Sequence, residues 1–119
     1  MPATYSIDPR KRVVFTVFSG SVEELDIRDM AMRLEGDPDF KPDFSELVNL
    51  SAVTDFRLTA EDLQGISNCD PFSNQAQRAF VCPEDLLFGI CRMYECIKGG
   101  THMATFRSMS DARKWLDLQ

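Results

Sequence analysis

One histidine, one tryptophan and no Cys-x-x-C pair leave this 119-residue sequence poor in the side chains that most often carry metal and redox chemistry. Cys69, Cys82, Cys91 and Cys96, with His102 as the sole imidazole, make no zinc-ligand set of familiar spacing, and no metal is expected. No apolar run approaches the ~20 residues that span a bilayer, so membrane insertion is not expected. Met1 to Arg10 carry no apolar signal-peptide core, which makes the cytoplasm the expected compartment and free thiols the expected state of the cysteines. Basic residues are scarce, 13 against 19 acidic ones, and the net charge of −6 argues against a nucleic-acid partner, whose phosphates need Lys and Arg. Arg10, Lys11 and Arg12 form the single basic cluster and read as the flank of a turn.

Catalytic motifs are missing too. There is no G-x-S-x-G, no P-loop and no G-x-G-x-x-G, so hydrolase, nucleotidase and dinucleotide chemistry have no anchor. His102 reads as a surface or sheet-packing residue rather than a general base. Asp37, Asp39 and Asp43 suggest calcium, but Lys41 and two prolines interrupt the spacing and the liganding Glu of an EF-hand is absent. The reading is of a protein that is not an enzyme and needs no cofactor.

What is present is an ordinary globular composition, 44% hydrophobic and 27% charged, in one expected domain spanning 1–119. Thr4 to Ile7 and Arg12 to Phe18 read as a hairpin around Asp8-Pro9-Arg10-Lys11, with Gly20-Ser21 ending the second strand. Ser21 to Glu24 reads as a capping box opening a helix that runs to Glu35 and stops at Gly36. Ile27, Met30, Ala31 and Leu34 form its sheet-facing side, while Val22, Leu25 and Met32 fall opposite and are a candidate dimer face. Asp37 to Phe44 is a loop anchored by Phe40 and Phe44. Glu46 to Leu50 is a third strand, Thr59 opens a helix to Asn68, and Gln77 to Val81 is a fourth strand. Pro83 suits the first turn of a third helix with a broad apolar face from Leu86 to Ile97. His102 to Phe106 is a fifth strand, and Ser110 caps a last helix carrying Trp115 and Leu116. The order ββαβαβαβα implies an α/β fold with a mixed sheet of about five strands and about four helices, mostly parallel after the first hairpin.

Two places could carry chemistry or recognition. Cys82, in Cys82-Pro83-Glu84, lies at the mouth of a helix, where thiol pKa values fall, so it is a candidate reactive thiol; Glu84 and Asp85 oppose that, and a quiet strand-end thiol is the plainer reading. Asn49 to Ala60 passes from strand through a polar turn into a helix. Ser51, Thr54, Asp55 and Thr59 are its candidate phospho-switch or partner-docking residues, since functional sites in parallel sheets gather at the carboxyl ends of strands.

At Asn49-Leu50-Ser51-Ala52-Val53 the chain resembles STAS domains, the fold of bacterial anti-sigma-factor antagonists. The D-S-S-G motif of those proteins falls here on Arg57-Leu58-Thr59-Ala60, with Thr59 at the place of the phosphorylated hydroxyl; the acidic residue and the glycine are replaced. Over nearly the whole length the chain resembles the stand-alone SpoIIAA-like group, also described as STAS/CRAL-TRIO-like. The features are Gly20, Asp37-Pro38-Asp39-Phe40, Phe88-Gly89 with Arg92-Met93-Tyr94-Glu95, and Phe106 leading to Trp115-Leu116. The resemblance implies a SpoIIAA/STAS-like sheet and two functional readings. In one, a regulatory module docks a protein partner through the turn and second helix, as a homodimer or with another chain. In the other, a carrier or sensor holds a small apolar ligand between sheet and helices. A domain of this length has little room for both a core and a ~300 Å³ pocket, which favours docking.

Overall fold

The computed structural model describes residues 2–100 and 102–118; Met1 and Gln119, the bounds of the expected domain, and Thr101 lie outside them. Along the chain run β1 (Ala3–Asp8), β2 (Val13–Glu23), α1 (Glu24–Glu35), β3 (Ser45–Arg57), α2 (Ala60–Asn68), β4 (Arg78–Val81), α3 (Asp85–Ile97), β5 (Met103–Phe106) and α4 (Met109–Trp115). The strands lie side by side in chain order, β1-β2-β3-β4-β5. β1 is antiparallel to β2 and every later pair is parallel. This is the expected ββαβαβαβα order. The hairpin turn is tied by the Asp8 carboxylate, which accepts the backbone N–H groups of Arg10 and Lys11, both at 3.1 Å. The basic cluster sits there, at a turn.

Alternation along the strands divides the core into two layers. Phe18, Val48 and Phe80 face one side of the sheet and pack with Met30 of α1, Leu63 and Ile66 of α2, and Cys91 and Tyr94 of α3. Leu47, Ala79 and Val81 face the other side and meet Ala112, Leu116 and Trp115 at α4. Near the amino-terminal ends of the parallel strands, Phe40 and Phe44 anchor their loop as expected. They cluster with Val14, Leu34 and Phe72, and the Phe40 and Phe72 rings meet edge to face at 5.1 Å.

Several boundaries depart from the sequence reading. β2 does not end at Gly20-Ser21 but runs to Glu23, because the Gly-Ser step is absorbed as register shifts against β3, with Gly20 at φ +67°. The first helix is consequently capped not by Ser21 but at Glu23, whose backbone N–H donates to Asp26 at 2.8 Å. α3 starts at Asp85 rather than Pro83, because the Glu84 carboxylate accepts the N–H groups of Leu86 and Leu87 at 3.1 and 2.8 Å. α4 is capped by Ser108, whose hydroxyl accepts the Asp111 N–H at 3.2 Å, rather than by Ser110.

The largest departure is in β3, which extends 13 residues to Arg57. β4 pairs with it only from Glu46 to Asn49. Beyond that point β2 and β3 continue alone as a two-stranded ribbon, Ser19–Glu23 against Ala52–Arg57. Ser51, Thr54 and Asp55 therefore lie on an exposed strand extension and not in a turn.

Candidate functional site: an apolar cavity beside a buried arginine cluster

Between the sheet and α1, α2 and α3 lies a cavity of about 110 Å³. Phe18 and Val22 of β2, Leu50 and Val53 of β3 and Phe80 of β4 contribute from the sheet; Ile27, Leu63 and Ile90 contribute from the helices. Leu50, Val53, Phe56 and Leu58, on and after the β3 extension, are only partly buried, as are Ile27 and Ile90 across from them. The cavity thus lies where β3 has outrun β4, toward the carboxyl ends of the parallel strands, the end at which open α/β sheets take ligands. Its volume is below 300 Å³, as the chain length suggests, but it is not closed out by the core.

At the deeper end stands a cluster that sequence reasoning missed. Glu46 on β3 and Arg78 on β4 are both buried; the Glu46 Oε1 accepts from Arg78 Nε at 3.0 Å, and Nη2 lies 2.9 Å from the same oxygen in the ion pair. Its Oε2 accepts the Thr16 hydroxyl at 2.7 Å. Arg78 Nη1 reaches Asp70 at 2.5 Å, and the Tyr94 hydroxyl donates to the same Asp70 oxygen at 2.6 Å. Lys98 Nζ stands 3.8 Å from it, and the guanidinium lies over the Phe72 ring at 4.5 Å.

The protonation states follow from how these partners are shared. Burial pushes Asp70 up, but Arg78 and the Tyr94 hydroxyl outweigh it and hold its carboxyl below the ordinary value. Glu46, wholly buried and with Arg78 and Thr16 alone to answer it, is instead pushed up by burial. Burial works against the Arg78 cation, yet Glu46 and Asp70 together raise its pKa. Tyr94 is raised by burial and by Asp70. The signal for this cluster was present in the sequence: strand alternation puts Glu46 on the side of Val48, and Arg78 on the side of Phe80. Charged residues at inward positions of short strands are rarely tolerated singly.

At the helical rim, Arg28 of α1 lies across α2 at Gly65, where a Cβ would come within 2.3 Å of Nη2. Its Nε lies 3.3 Å from Glu24, an ion pair whose geometry leaves that buried N–H without a hydrogen bond. Nη1 reaches the Cys69 sulfur at 3.7 Å.

The residues singled out from the sequence divide. Thr59 is the N-cap of α2: its hydroxyl accepts the Asp62 N–H at 3.1 Å, and Asp62 in return accepts the Thr59 N–H at 2.9 Å. That returned bond holds the Asp62 carboxyl below its ordinary value. Asp55 and Ser21, neighbours across the β2–β3 ribbon, meet at 3.4 Å. The proposed dimer face loses a member, because Val22 belongs to β2 and is 3% exposed in the core, while Leu25 and Met32 on α1 are both 73% exposed. Cys82 is not poised as a reactive thiol: it is buried, and desolvation pushes its pKa up, outweighing the hydrogen bond to the Glu84 backbone that works the other way. Cys91 packs in the main core layer as expected.

No protein-family model matches the chain, and no curated protein matches it. Among solved structures it is similar to the crystal structure of an uncharacterized protein of the DUF3478 family with a SpoIIAA-like fold from Shewanella loihica PV-4. That likeness has a TM-score of 0.64 at 18% identity and covers 96% of this chain and 93% of the other. With its mixed five-stranded sheet and helical covering, the chain has the SpoIIAA-like fold.

Proposed function

We propose that this domain is a non-catalytic binding module whose site is the cavity under α1, α2 and α3, and whose ligand is a small apolar molecule. The observation that carries this reading is the cavity itself, lined by Phe18, Leu50, Val53, Leu63, Phe80 and Ile90 at the open end of the sheet. Apolar space of this scale left unfilled costs packing energy, roughly 24 cal/mol for each Å³, which a ligand of matching shape recovers. Val53 and Phe56 line the cavity while Thr54 and Asp55, between them, are exposed. One strand therefore connects the proposed ligand site to the surface proposed for partner docking.

The test is native mass spectrometry of protein purified without detergent, followed by titration with a fluorescent apolar dye. Wild type is expected to carry or accept one apolar molecule, and Val53→Trp, whose ring fills the cavity, to accept none. Equal dye binding by the two would refute the cavity as the site.

The second reading, partner docking through Ser51, Thr54, Asp55 and Thr59, is supported by the exposure of these residues along the ribbon and the start of α2. On that reading the unpaired β3 edge beyond Asn49 offers backbone groups to an added strand.

A further inference from the structure

The cavity is lined by four charged residues, Arg28, Glu46, Asp70 and Arg78, two of each sign. Each already has its counter-charge in the protein. Glu46 and Asp70 share Arg78; Asp70 also holds the Tyr94 hydroxyl, the Phe72 N–H at 3.0 Å and Lys98. Arg28 is paired with Glu24 and also feels Asp62, which is itself bound to the Thr59 N–H. We infer that the site selects an uncharged ligand: one ring, or a chain of about six carbons, ending in at most a neutral oxygen.

This rests on the cavity being a ligand site. A carboxylate entering it would meet no free cation, and would have to displace Glu24 from Arg28, or Glu46 or Asp70 from Arg78. An ammonium would find Glu46 and Asp70 already paired with the Arg78 guanidinium. Either ion would shed water without replacement, and a buried ion without a partner is far costlier than a buried hydroxyl. The buried Arg28 Nε–H, ion-paired but without a hydrogen bond, is a polar group at the rim that a neutral oxygen could satisfy.

The experiment compares hexanol, hexanoate and hexylammonium near neutral pH, with the same carbon count and three head charges. Binding is followed by the methyl resonances of Ile27, Leu63 and Ile90, which line the cavity. Hexanol is expected to shift those methyls and to bind at least about tenfold more tightly than either ion. If either ion binds as tightly as the alcohol, the inference of an uncharged ligand fails while the cavity stands as a site. If none of the three moves those methyls, the ligand-site reading itself fails.

Discussion

Glu46 and Arg78 are register partners on adjacent parallel strands, and their side chains meet at 2.9 Å with 2% and 9% of their surfaces exposed. Parallel pairing puts both on the same sheet face, so the ion pair is built by register rather than by a loop. The same arginine extends to Asp70, after α2, and Asp70 extends to Tyr94 on α3. One guanidinium therefore joins two strands, the α2–β4 connection and α3 beside the cavity.

Removing that guanidinium should be far worse than neutralising one of its partners. Arg78→Met leaves the buried Glu46 without a cation and Asp70 with Lys98 at 3.8 Å in place of the guanidinium, and should cost about 3–5 kcal/mol. Glu46→Gln keeps a carbonyl acceptor for Arg78 and turns an NH2 donor toward the Thr16 hydroxyl, which can rotate to accept it, and should cost clearly less. Urea unfolding of the two variants checks the order; equal losses would contradict it.

The cluster also sets a pH signature. Glu46 has its folded pKa raised above the ordinary 4.5 by burial, so its contribution to stability is fully present below that value and is lost as pH rises through the raised one. Asp70 has the opposite sign: its stabilisation is present above its ordinary 3.8 and is lost as pH falls through the depressed folded value. Glu46→Gln should therefore remove the loss of stability on the alkaline side of 4.5 and leave the acid limb due to Asp70. Thermal melts across the acid-to-neutral range read both limbs. An unchanged alkaline-side slope in the variant would assign it to another group.

Thr59→Ala should lose about 1 kcal/mol, because the Asp62 N–H then has no cap. Thr59→Asp, another good N-cap, should keep most of it. On the docking reading, a partner captured by wild type is lost with Thr59→Asp at nearly unchanged stability. Retention by both variants would leave Thr59 as a helix cap alone.

All four thiols are free, but they should differ in reach. Cys69 and Cys96 are exposed and should react promptly with a thiol reagent. Cys82 and Cys91 are buried, with pKa values raised by desolvation, and should react only as the protein unfolds. Prompt labelling of Cys82 in folded protein would restore it as a reactive thiol.

Leu25→Lys with Met32→Lys removes two exposed apolar side chains from α1 and should change stability by no more than about 0.5 kcal/mol. We propose self-association through this smaller patch, now without Val22. Sedimentation of wild type should then show dimer, and of the double variant, monomer. A monomeric wild type would end that proposal.

The sequence made the element order and most of the core legible, because Val13 to Phe18, Ile27 to Leu34 and Leu86 to Ile97 carry clear strand or helix patterns. The β3 extension was not legible. Ala52 to Arg57 mixes Thr, Asp and Arg with single apolar residues, and its pairing comes from β2 continuing past a glycine bulge. That non-local pairing also converted Val22 from a helix surface residue into core. The buried cluster was half legible: alternation exposes Glu46 and Arg78 as inward charges. The positions of Asp70 and Tyr94 depend on how α2 and α3 fold back, which no local pattern records.

Trp115, the sole tryptophan, packs against Phe106 at 5.8 Å in the α4 layer, across the sheet from the cavity. Its emission is therefore a local gauge of α4 docking, on the sheet face opposite the ligand site. A ligand could fill the cavity with the tryptophan spectrum unchanged, while a fluorescence melt would record when α4 leaves the sheet. Monitored beside the cavity methyls, the two signals would tell whether the layers on opposite faces of the sheet come apart together or one after the other.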